Sequence, residues 1–102
     1  MIGHYKTVFG EEVNLSEEKW KHIVDGHPEV KRFAGKIKKV LTMPDLVKLS
    51  KRDPGVHLYY KFFNEIYGGK HLLVVVNGHA KTISTVFITD KIKVGETIWP
   101  GK

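Results

Sequence analysis

Six histidines and seventeen Lys and Arg residues, with no cysteine, are spread over 102 residues. Without a thiol there is no cysteine nucleophile, no thiolate metal site and no disulfide frame. Ser16, Ser50 and Ser84 lack the flanking glycines of a nucleophile elbow. No two histidines stand four apart, and the five-residue gap between His22 and His27 does not align two imidazoles on one helix face. His27 and Glu29 could supply part of a metal site, but no cluster of acids completes it. Gly68-Gly69 has neither the spacing nor the following helix of a phosphate-binding loop. Elimination leaves acid–base chemistry on a phosphodiester, with no metal and no cofactor. Such a reaction needs a base for the ribose 2′-OH, an acid for the leaving oxygen and cations on the phosphorane. Histidine serves as acid or base near neutral pH, lysine supplies charge, and threonine or tyrosine supplies hydrogen bonds. His22, His27, His57, Tyr59, Tyr60, Lys61, Thr85, Thr89 and Lys91 are of these types. Each also has a plainer reading: a surface histidine beside a helix, or a threonine chosen for its strand propensity.

The charge balance is compatible with that chemistry. The formal net charge is +6 and the pI about 9.6. That suits a soluble small domain or one with an anionic partner, most often a nucleic acid. At 41% hydrophobic residues the chain is too apolar for disorder. The first residues lack the apolar stretch of a signal peptide. The longest apolar run, Leu72 to Val76, is far short of the roughly 20 residues of a membrane span. A cytoplasmic protein without membrane contact is expected, folded as a single domain over 1–102.

The elements that must position these side chains divide into two halves. Tyr5 to Phe9 and Glu12 to Leu15 suit a short N-terminal hairpin. Ser16 reads as a helix N-cap with Glu17 and Glu18 in the first turn. Trp20, Ile23 and Val24 make an apolar stripe, and Gly26 ends that helix. His22 would lie about 200° from Trp20, away from the stripe. Pro28 suits the first position of a second helix running to about Leu41. Its core face is Val30, Phe33, Ala34, Ile37, Val40 and Leu41, and its other face is basic, from Lys31 to Lys39. Strands follow: Leu46 to Leu49, Val56 to Phe63, Leu72 to Val76 and Thr82 to Thr89, with Ile92 to Trp99 packing back as a tail. Alternation puts Tyr60 and Phe62 on one side, and His57, Tyr59 and Lys61 on the other. It also puts Thr85 and Thr89 on a face with Ile83 and Phe87. The expected fold is α+β: two N-terminal helices, about 16–41, on one face of a twisted four-stranded antiparallel sheet, about 45–99. The other sheet face is then solvated, binds a partner, or forms a homodimer.

The pattern Trp20-x-His22-Ile23-x-x-x-His27-Pro28-Glu29, followed by Pro44, Tyr59-Tyr60, Val74-Val75-Val76 and Thr85-x-Phe87-x-Thr89-x-Lys91-Ile92-Lys93-x-Gly95-x-x-Ile98-Trp99, covers most of the chain. It resembles phage-associated members of the barnase–EndoU–colicin–RelE-like nuclease group. The resemblance implies metal-independent RNA cleavage across the sheet face by 2′-OH attack, in a toxin or phage-related effector. It implies RNA as partner and leaves room for a protein inhibitor or antitoxin. Carried over by position, the catalytic set would be His22, His27, Lys61 and Thr85. Tyr60, Thr89 and Lys91 would contact substrate. The sequence departs from the group in showing no compact Arg/Lys/Thr set. A non-catalytic nucleic-acid-binding module, resting on the basic helix face and exposed aromatics, and a homodimeric interaction protein are the alternatives.

Overall fold

The computed structural model describes residues 2–101. Strands β1 (Gly3–Lys6) and β2 (Glu12–Leu15) form a hairpin as expected, but its first strand runs earlier than Tyr5 to Phe9, because the turn takes up residues 7–11 with Gly10 in the left-handed region at φ 81°. Helix α1 (Glu17–Gly26) starts where the Ser16 hydroxyl accepts the Lys19 N–H at 3.1 Å. It ends where the His27 N–H reaches the Ile23 carbonyl at 2.8 Å. The next stretch is not the continuous α-helix that periodicity suggests. Pro28–Lys36 is a 3₁₀ segment, and only Ile37–Thr42 is α-helical (α2). Val30 and Phe33 are spaced by three, which suits the tighter three-residue turn. Gly35, poor in helix propensity, sits just before the change of winding.

The strands that follow are β3 (Leu46–Leu49), β4 (Val56–Phe63), β5 (Lys70–Asn77), β6 (Thr82–Thr89) and β7 (Thr97–Trp99). The four-stranded antiparallel sheet expected from the sequence is corrected here. The sheet is seven-stranded, mixed and curled, in the order β1-β2-β6-β5-β4-β3-β7. Two additions make the difference. The hairpin does not stand apart: β2 docks on β6 in parallel at Asn14 and Thr82, where the Asn14 N–H donates to the Lys81 carbonyl at 3.1 Å. The tail does not merely pack back: β7 pairs antiparallel with β3 at the opposite edge. Both are contacts between segments distant in sequence, which leave no mark on local periodicity.

The helical segments cover one sheet face. The main core lies between them, with Val30, Ile37 and Val40 packed on Tyr59, Val74 and Val76, all fully buried. The opposite face holds a smaller cluster of Leu58, Tyr60 and Leu73. What crosses that face is the strap Asp90–Glu96. It must run from β6 to the far edge, four strand steps or about 19 Å. From Lys93 onward three hydrogen bonds tie it to β4 and β3. The Lys93 N–H donates to the Tyr60 hydroxyl at 3.1 Å, Lys48 Nζ donates to the Gly95 carbonyl at 3.3 Å, and the Leu49 N–H donates to the Glu96 carbonyl at 2.8 Å. No helix among the described residues is long and apolar enough to cross a membrane.

Candidate active site on the open sheet face

Strand register arranges the open face in rows across β4, β5 and β6. Phe62, His71 and Thr89 form one row, and Tyr60, Leu73 and Phe87 the next. Leu58, Val75 and Thr85 form a third. A bulge decides what β6 contributes. Thr85 pairs with Val75 and Ile83 with Val76, which leaves Ser84 as an extra residue. The bulge turns Ile83 into the main core, where it is fully buried. Thr85, Phe87 and Thr89 keep the open face. The simple alternation that joined Ile83 to that set is therefore corrected.

His27 is brought to this face by the break between α1 and the 3₁₀ segment. As the residue between the two helical segments, it has an extended backbone, φ −137° and ψ 72°. Its imidazole stacks on Phe87 with ring centroids 5.2 Å apart and planes at 23°. A Glu29 carboxylate oxygen lies 3.6 Å from its Nδ1. The ring is thus seated against an aromatic floor, with a carboxylate on one nitrogen and about two fifths of the side chain open to solvent. This arrangement can hold an imidazole in one orientation.

The other sequence-derived candidates scatter. His22 is exposed on α1 and makes no hydrogen bond or ion pair with a described residue. Five residues before His27, it points about 140° away around the helix axis. Lys61 lies on the helix-covered side of β4. Its Nζ donates to the Met43 carbonyl, just past the end of α2, at 2.7 Å, and sits 3.4 Å from Asp45. There it complements the negative end of a helix. Tyr60 is fully buried and its hydroxyl holds the strap. Burial raises its pKa, and the Lys93 N–H partly opposes that by favouring the phenolate. Thr89 is used by the turn that starts the strap: its Oγ1 accepts the Lys91 N–H at 3.0 Å. Thr85 is on the open face, two residues along β6 from Phe87. Lys91 is exposed on the strap, as is Lys93, and neither is ion-paired with a described residue.

Several residues of this face carried no sequence signal. Phe87 and Phe62 read as ordinary strand aromatics, and His71 as one histidine among six. Strand alternation groups Phe62 with Tyr60, but only the β4–β5 register places His71 beside both. Lys93 reaches the face through the strap, a feature of topology, and Lys48 through its register opposite Leu58. His57 and Tyr59 belong to the other face. Among the described residues the His57 Nδ1 is buried there without a hydrogen-bond partner, and the Tyr59 hydroxyl is buried near Thr7, where burial raises its pKa and Thr7 partly opposes the rise.

Surface depressions lie elsewhere as well. One of about 330 Å³ beside α1 mixes Glu17 and Asp25 with Lys21 and Lys31 around Trp20. That mixed charge gives it no preference for a polyanion, whereas the strap presents cations alone between Asp90 and Glu96. Among the described residues no group of three His, Asp or Glu side chains is placed to hold a metal ion. Comparison with protein-family models, curated proteins and solved structures returns no match for this chain.

Proposed function

We propose that this chain is a metal-independent RNA endonuclease that cleaves by 2′-OH attack, leaving a 2′,3′-cyclic phosphate. The observation that carries the reading is the His27 imidazole stacked on Phe87 at the edge of the open face, with Glu29 at its Nδ1. In this reading His27 transfers the proton at the reacting oxygen. Glu29, 3.6 Å from Nδ1, and the Phe87 ring keep the imidazole in place. Thr85 hydrogen-bonds the phosphate, and Lys91 and Lys93 offset its developing charge. Of the histidines on β4 and β5, His71 shares the open face with Phe87, so it replaces His22 as the side chain that could complement His27. The residue pattern resembling the phage-associated nuclease group supports the same chemistry. A cytoplasmic site of action and a protein inhibitor belong to this proposal as well.

One observation favours a second reading, a non-catalytic RNA-binding module. Among the described residues no second histidine stacks on His27 or bonds to it, its ring partners being Phe87 and Glu29. Incubation of mixed RNA with the purified protein in EDTA separates the two. Fragments with cyclic-phosphate ends support the nuclease. Intact RNA together with salt-sensitive binding overturns it in favour of the binding module.

A further inference from the structure

Phe62 is an exposed aromatic on the open face that the nuclease reading leaves without a task. It is 44% exposed on the open face, yet it is not loose. Gly69, at φ 121°, lies so close that a Cβ there would come within 2.7 Å of the Phe62 ring. The His71 ring meets Phe62 at 5.4 Å with planes at 72°. The Phe62 backbone N–H donates to Asp45 at 2.7 Å. A glycine backbone, an imidazole and a pinned main chain therefore fix the ring while much of its surface stays in water. A side chain exposed for mere tolerance has no need of such support, as Val94, 75% exposed on the strap, illustrates.

We propose that Phe62 is a stacking platform for an unpaired base flanking the scissile phosphate of single-stranded RNA. The proposal rests on the RNA-cleavage reading and names its substrate class. Phe62 and Phe87 are two strand spacings and two residues apart, about 12 Å. The strap crosses between them at Tyr60 and carries Lys91 and Lys93. A strand with one base on Phe62 and its reactive phosphate at His27 lays its backbone along those two cations. Base–aromatic stacking is tolerant of sequence but needs a free base face, which a duplex does not offer. Strands with unpaired bases are therefore preferred over duplexes.

The test uses a 2′-O-methyl oligonucleotide, which lacks the attacking hydroxyl and stays intact, with 2-aminopurine as a stacking reporter. The wild-type protein quenches the reporter and binds with a salt-dependent Kd. Phe62→Ala weakens binding about tenfold and loses the quenching, while the salt slope is unchanged because no cation is removed. Phe62→Trp restores both. Lys91→Ala keeps the quenching and lowers the salt slope by about one. A melting curve confirms that each variant is folded. If the wild type binds but Phe62→Ala binds and quenches equally, or if the wild type binds without quenching, the platform is refuted and the nuclease reading stands. If the wild type does not bind RNA at all, both fall together.

Discussion

Gly95 lies where the strap is hydrogen-bonded to β3, and enlarging it is a direct trial of the strap's seat. A Cβ added there would lie 2.4 Å from the Leu49 carbonyl oxygen. Carbon and oxygen normally approach to about 3.3 Å, so Gly95→Ala forces a displacement of about 0.9 Å. The neighbouring bond from the Leu49 N–H to Glu96, now 2.8 Å, would stretch past useful range. The Lys48–Gly95 bond, already 3.3 Å, would go with it. A partly buried backbone group left unpaired costs about 1–3 kcal/mol. For a domain of this size 1 kcal/mol moves Tm by roughly 4–8 °C, so Gly95→Ala should melt about 10 °C lower. The matched control is Gly35→Ala, where nothing lies within 4 Å of the new Cβ. In that helical segment alanine should raise stability by about 0.5–1 kcal/mol. Urea denaturation reads both, with the m-value unchanged if only the native contact is altered. RNA binding by Gly95→Ala should also weaken at low salt, because Lys91 and Lys93 lose their fixed position. Equal melting of the two alanine variants would refute the strap geometry and the charge placement built on it.

Other outcomes follow from the same geometry. Lys61→Met should lose about 1–3 kcal/mol in urea, since the Met43 carbonyl loses its donor, yet cleave RNA normally per folded molecule. Ser16→Ala should lose about 1 kcal/mol in the same assay, because the Lys19 N–H loses its cap. The Asp53 carboxyl is held below its usual range, first by the Gly55 N–H and then by His79. Its contribution to stability is therefore complete above the unfolded carboxylate pKa, about 3.9, and is lost as pH falls through the lower folded value. Melting curves from pH 5 to 2 should accordingly fall less steeply for Asp53→Asn than for the wild type.

Local chemistry was legible where one side chain decides. Ser16 starts α1, Gly10 turns the hairpin and Leu46–Leu49 forms a strand as its composition indicates. Burial of Val30, Phe33, Ile37 and Val40 followed from spacing, although the winding between them did not. The unreadable parts are long-range. The pairing of Asn14 with Thr82, the addition of β7 to β3 and the strap over Tyr60 join segments that share no pattern. The β6 bulge is subtler: one extra residue at Ser84 turned Ile83 inward, while alternation alone kept it with Thr85. For the candidate site, His27 was legible because Pro28 fixes a break beside it. His22 was grouped with it by nearness in sequence, and the helix axis separates them. Lys61 looked like a reactive cation, but its long side chain reaches the end of α2 instead.

The central claim is that the His27 imidazole on the open face transfers a proton during RNA cleavage. The most direct measurement is the single-turnover cleavage rate of a single-stranded RNA in EDTA, for the wild type, His27→Ala and His22→Ala, with melting curves to confirm folding. The account predicts a loss of roughly 10²–10⁴-fold for His27→Ala and a near wild-type rate for His22→Ala. Full activity of folded His27→Ala would contradict it.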